Sequence, residues 1–185
     1  MPASLAPKIA VDRAPHAQAH GTNKRRVIIL HSTESHDHPG ITDIVGILTY
    51  LERANLGIHY VVDGEGLIGR GAYHIDLVYH AKGANSIGIG IEMIGRAAWP
   101  TKRWLRDPDT RQARKQLAAV AKLIAYISRE ENIPLKMSTT HGIACHRDFP
   151  EGGHWDPGPG FPIGYVLKRA RFYKALYAVR RPKVG

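Results

Sequence analysis

The segment His146–Pro162, HRDFPEGGHWDPGPGFP, packs two histidines, three acidic side chains and four prolines into one short run. Proline removes backbone donors and fixes φ, and glycine opens positive φ, so the run predicts a loop rather than a helix or a strand. It is not a core element, and its meaning rests on the elements around it.

Immediately before it, MSTTHGIACHRD (137–148) predicts a strand that feeds the loop. After it, LKRARFYKALYAVRRPK (167–183) predicts a helix, with Val166, Ala170, Tyr173 and Tyr177 on a docked face and Lys168, Arg169, Arg171 and Lys174 turned outward. Further upstream, RVIILHST (26–33) is a short apolar run ending in polar residues, as expected of a buried central strand from whose end His31 emerges. TDIVGILTYLERANLG (42–57) has Ile44, Leu48 and Leu51 at helical spacing, Thr42 or Asp43 as N-cap and Gly57 as a stop. IHYVVDGEGLIGRG (58–71) reads as a hairpin about the turn DGEG. DTRQARKQLAAVAKLIAYISREENIP (109–134) is the longest periodic stretch, with Ala113, Leu117, Val120, Ile124 and Ile127 on one face and Asp109 with Gln112 as a capping box. Strands intermixed with helices, joined by both hairpin and crossover connections, indicate one α/β domain: a central mixed β-sheet flanked by helices.

SIGIGIEMIG (86–95) says more than strand. Ile87, Ile89 and Ile91 alternate with Gly88, Gly90 and Glu92, so one face is apolar and the other offers two glycines and a carboxylate. Glycine weakens a strand unless something lies close to its backbone, which predicts a ligand or another segment over that face with Glu92 at its end. A surface strand with an exposed glutamate is the alternative.

Composition sets the outer bounds. At 185 residues, 43% hydrophobic and 23% charged, the chain suits a single globular domain. Residues 1–25, rich in Ala, Pro and His, show neither strand nor helix pattern and predict a flexible or loosely docked arm. Residues 26–178 then form the domain, and 179–185 a basic tail. No charged-then-apolar leader and no apolar run of about 18 residues is found, so we expect a soluble protein made in the cytoplasm without a signal peptide or membrane insertion. Cys145 is the single cysteine, which excludes an internal disulfide framework. The formal charge of +10 attracts polyanions, whether nucleic acid, anionic membrane or a bacterial wall. No helix-turn-helix glycine pattern, aromatic nucleic-acid-binding run or zinc-finger spacing supports nucleic acid.

Eleven histidines are spread along the chain. His31 and His146 leave the ends of two strands, and Asp156 lies in a rigid Pro/Gly loop that can fold it back. Two imidazoles and a carboxylate at a sheet edge make an open zinc-type site with a position left for water or substrate, and Glu92 supplies a base. From spacing alone, His36, His38, His141 and His154 compete for the same role.

At these residues the sequence resembles a family. HRDFPEGGHWDPGPGF is similar to the signature of the zinc-dependent N-acetylmuramoyl-L-alanine amidases of type 2, related to the peptidoglycan recognition proteins. VIILHST, HYVVDGEGLIGRG and HAKGANSIGIGIEMIG follow the family's order, so the resemblance spans roughly residues 26 to 165. It implies the amidase type 2 fold and Zn²⁺ bound by His31, His146 and Asp156. It further implies Glu92 as the acid/base, and substrate contacts from His80, Asn85, Gly88 and Gly90. Arg147 and Asp148 brace the loop, and Cys145 is buried. The family's lysine two positions before the loop aspartate is here His154, expected to stabilise the oxyanion, and Ile58 stands where some members carry a catalytic tyrosine.

The activity implied is hydrolysis of the amide between N-acetylmuramic acid and the L-alanine of a peptidoglycan stem peptide, by a monomer. A short basic amidase without a leader resembles a bacteriophage endolysin that acts on the wall after release. The alternatives are a non-catalytic peptidoglycan-binding module of the same fold and a cytoplasmic muropeptide-recycling amidase.

Overall fold

The computed structural model describes residues 6–35, 41–105 and 112–179, excluding the side chains of 112–114 and 179. Six strands form one mixed sheet: β1 (Ile9–Asp12), β2 (Val27–Ser32), β3 (Tyr60–Val62), β4 (Ile68–Arg70), β5 (Gly88–Met93) and β6 (Gly142–Cys145), in the order β1-β4-β3-β5-β2-β6. Only the β3–β4 hairpin is antiparallel; the remaining neighbours run parallel. Among the described residues, four α-helices accompany the sheet: α1 (Ile41–Arg53), α2 (Thr101–Leu105), α3 (Gln112–Glu130) and α4 (Ile163–Val179).

The two sheet faces are covered differently. β2 is buried along its whole length, as its unbroken apolar run requires of a central parallel strand. Ile28, Leu30, Ile89, Ile91, Met93, Ile143 and Cys145 point to one face, where they meet Leu117, Val120, Ile124 and Ile127 of α3 and Val166 and Ala170 of α4. Those helix residues are the predicted apolar stripes. On the opposite face α1 lays Ile44 and Leu48 against Ile58, Val61 and Ile94. A smaller cluster of Val27, Ile29, Ala81, Ala84, Ala144 and Phe149 packs on the rest of that face.

Several expectations need correction or lie out of reach. Residues 6–25 are not simply an arm: Ile9–Asp12 adds an edge strand parallel to β4, and Arg70 Nε donates to Asp12 Oδ1 at 3.1 Å. Beyond it, His20 and Asn23 donate backbone N–H to Leu77 and Ile75 at 2.8 Å. A four-residue edge strand shows too little alternation to stand out between prolines. Thr42 and Asp43 lie within α1 as described, not before it, and Asp43 in the first turn complements the helix dipole. Asp109 of the expected capping box, His36, His38 and residues 180–185 of the basic tail lie outside the described residues.

α2 was not legible in the sequence, yet it anchors the chemistry-bearing loop. Trp104 is fully buried and meets Phe161 edge-on, with ring centroids 5.1 Å apart. Removing so large a buried aromatic leaves a cavity that costs about 3–5 kcal/mol. Trp104→Ala is therefore expected to lower the unfolding free energy by roughly that amount. Urea denaturation followed by far-UV circular dichroism measures it.

Candidate metal centre and cleft

Parallel register brings the site together. His31 pairs with Glu92 across β2 and β5, and Leu30 pairs with Cys145 across β2 and β6, so His31, Glu92 and the following His146 emerge at one level. Each lies two residues after a residue of the thinly covered face (Ile29, Gly90 and Ala144), and alternation sends all three side chains to that face. The arrangement sits at the carboxyl ends of parallel strands, where open α/β sheets characteristically hold their ligands.

Asp156 is returned to the same point by its loop. Arg147 N–H donates to the Asp156 carbonyl at 3.0 Å, and Ser32 N–H to Asp156 Oδ2 at 3.3 Å. The Arg147 guanidinium donates to the carbonyl of Gly158, and Asp148 Oδ2 accepts the Cys145 N–H at 2.8 Å, so both residues brace the loop as expected. Gly158 has φ of 77°, and a Cβ there would run into the Ala97 carbonyl. Only glycine permits that approach.

His31 Nδ1 lies 3.1 Å from His146 Nδ1 and 3.4 Å from Asp156 Oδ2, while His146 Nδ1 lies 3.1 Å from Asp156 Oδ1. Ligands at zinc's usual bond lengths, arranged tetrahedrally, stand about 3.3 Å apart. The donor set and spacing therefore fit one cation, and this trio is the group among the described residues able to hold a metal ion. All three residues are buried. Burial lowers the His31 pKa, partly offset by Asp156, and so keeps the ring in the neutral form that ligation needs. Burial alone would raise Asp156; the facing imidazoles of His146 and His31 outweigh it and hold the carboxyl well below its usual range. Cys145 is buried with its thiol pushed up to about 12, and it is no ligand. His141 is exposed before β6, at the far end of that strand from His146.

Glu92 is half-buried beside this group and accepts no hydrogen bond from a described residue. Burial, then the negative charges of Asp156 and Glu34, raise its pKa from 4.5 to about 8. His154 stacks on His146 with ring centroids 4.2 Å apart, and its Nδ1 is 4.0 Å from Asp156 Oδ1. Its side chain keeps 55% of its surface exposed.

The expected glycine trough is filled. Gly88 and Gly90 are buried, and a Cβ at Gly90 would lie 2.8 Å from His80 Nδ1 and against Ile58 Cδ1. The segment close to the backbone is the protein's own, so neither glycine offers a surface to an extended peptide. Asn85 Oδ1 accepts the N–H groups of His80 and Ala81 at 2.8 and 2.7 Å, which is an architectural task. His80 faces His31, with Nδ1 3.0 Å from His31 Nε2. Sequence reading missed Asn23 and His59, both buried beside β5, because single polar residues in irregular segments carry no periodic signal.

The fold and the site together define a mixed-sheet α/β protein with a His–His–Asp centre and an adjacent carboxylate. Residues 12–159 match the N-acetylmuramoyl-L-alanine amidase family, and the chain belongs to that family. No curated protein sequence gives a significant match. Among solved structures it is similar to the N-acetylmuramoyl-L-alanine amidase LysC from Clostridium intestinale URNW, with 20% identity, 90% of this chain and 99% of that one covered, and a TM-score of 0.64. It also resembles the Ph2119 endolysin from the Thermus scotoductus MAT2119 bacteriophage Ph2119, with 14% identity, 86% and 97% covered and a TM-score of 0.60. Bumblebee PGRP-SA shares the fold as well, with 16% identity, 84% and 92% covered and a TM-score of 0.62.

The raised Glu92 pKa carries a stability signature. Between the ordinary 4.5 and about 8 the folded state keeps a proton that the unfolded chain releases, so stability falls as pH rises through that window. Glu92→Gln removes this dependence. In chelated protein the variant is expected to melt above the wild type near about pH 9 and level with it near about pH 4, as thermal denaturation would show.

Proposed function

We propose that this protein is a zinc-dependent N-acetylmuramoyl-L-alanine amidase that cleaves the bond between the lactyl group of muramic acid and the first L-alanine of peptidoglycan stem peptides. The observation carrying this reading is the convergence of His31, His146 and Asp156 at metal-ligand spacing with Glu92 at the same strand level. The family match supports the bond class, and the likeness to endolysins supports a role in host-cell lysis. A formal charge of +10 favours a polymeric, anionic wall over small soluble fragments.

His31, His146 and Asp156 would hold Zn²⁺, which when bound polarises a carbonyl and lowers the pKa of water towards about 7. The chain's own residues do the rest. Glu92 takes a proton from the attacking water and returns it to the departing amine nitrogen, and a pKa near neutrality suits both transfers. A cation at the neighbouring trio offsets the Asp156 charge that helps raise Glu92 and draws its pKa down towards that range. His154, exposed at the rim, donates an N–H to the developing oxyanion, where the family's lysine would stand.

Release of amino groups from purified peptidoglycan tests the reading, with mass spectrometry of the new ends. Stem peptides beginning with L-alanine should appear, vanish on chelation and return with zinc. Glu92→Ala should lower the rate by about 10²- to 10⁴-fold. Binding of peptidoglycan by the zinc-loaded wild type without release of any amine would instead establish a recognition module of the same fold.

A further inference from the structure

The part of the cleft expected to touch substrate does something else. His80 Nε2 lies 3.2 Å from the Gly88 carbonyl, and His80 Nδ1 lies 3.0 Å from His31 Nε2. The Gly88 carbonyl also accepts Asn23 Nδ2 at 2.6 Å, while Asn23 Oδ1 accepts the Arg25 N–H at 2.9 Å, which fixes the amide's orientation. A carbonyl only accepts, so Nε2 of His80 must carry its proton; otherwise two lone pairs would face each other. Nδ1 of His80 is then an acceptor, and His31 must donate to it from Nε2. The Nδ1 lone pair of His31 is left aimed at His146 and Asp156.

We infer that His80 is a positioning residue that locks His31 into its Nε2–H tautomer and thereby presents Nδ1 for metal binding; the inference rests on the metal-centre reading proposed above. Ligating histidines generally donate their other ring nitrogen to an oriented acceptor, which fixes tautomer and ring angle. Here the acceptor is a second imidazole, itself set by the Gly88 carbonyl at the start of β5. The surroundings are built for it. Asn85 holds the His80 backbone through two N–H groups. The missing side chains of Gly88 and Gly90 let the ring lie on the strand, since a Cβ at Gly88 would meet His80 Cε1 at 3.1 Å. His59, fixed by Gly90 N–H to its Nδ1 at 3.0 Å, meets the His80 ring edge-on. His146 has no such lock: its Nε2 is buried without a hydrogen-bond partner among the described residues.

The test needs no turnover. Long-range ¹H–¹⁵N NMR of the metal-free wild type, labelled in histidine, should show both His31 and His80 protonated on Nε2. Zinc affinity, measured by competition with a chelator of known affinity, should fall about 10- to 100-fold in His80→Leu. His80→Asn, which places an amide oxygen near the former Nδ1 position, should recover most of that loss, a rescue that a merely space-filling role would not give. Protonation of His31 on Nδ1 in the wild type, or equal affinities for the Leu and Asn variants, would overturn the proposal. Zinc affinity unchanged in His31→Ala would overturn the metal-centre reading and this proposal with it, and is distinguishable from the former outcomes because the wild-type tautomer is read without metal.

Discussion

In-register parallel pairing of β5, β2 and β6 is the constraint on which the site depends. A one-residue slip in any of these strands would move a side chain to the opposite sheet face and bury it among α3 and α4. The register is held from both sides. Alternate residues of β2 and β5 are committed to the helix-packed core, and the others must fit against Ile29, Ala81 and Ala144. Hydrophobic patterning thus fixes which residues can carry chemistry, and the polar residues that end each strand inherit a common level.

The fourth component, Asp156, comes from a loop, and loops are precise only where something limits them. Here the limits are steric and polar at once. Gly158 and Gly160 let the backbone run against the carbonyls of Ala97 and Trp99, Arg147 clamps the turn from within, and Phe161 closes it on Trp104. The loop is therefore an extension of the α2-side core. The price is a buried carboxylate, tolerable because two imidazoles face it.

Much of this was legible in the sequence because it follows from short-range pattern. The central strands announce themselves by apolar runs, α3 and α4 by helical spacing, and the hairpin by DGEG. The trio able to hold a metal was suggested by the ends of VIILH and IACH and a Pro/Gly-rich loop, with other histidines still competing, and was singled out by family resemblance. What failed depends on contacts between segments far apart in sequence. The glycines of SIGIGIE correctly signalled a close approach, but the pattern could not say that His80 and Ile58, rather than a substrate, made it. β1 pairs with β4 across almost sixty residues, too short a strand to show alternation of its own. Asn23 and His59 matter only through the edge of β5 that they satisfy.

The central claim is that one metal ion sits between His31, His146 and Asp156. Anomalous diffraction at the zinc edge from crystals of the zinc-loaded protein tests it most directly. The account expects a single strong peak within bonding distance of both Nδ1 atoms and the Asp156 carboxylate. A peak held by His154 or by other histidines, or zinc bound with this trio bare, would contradict it.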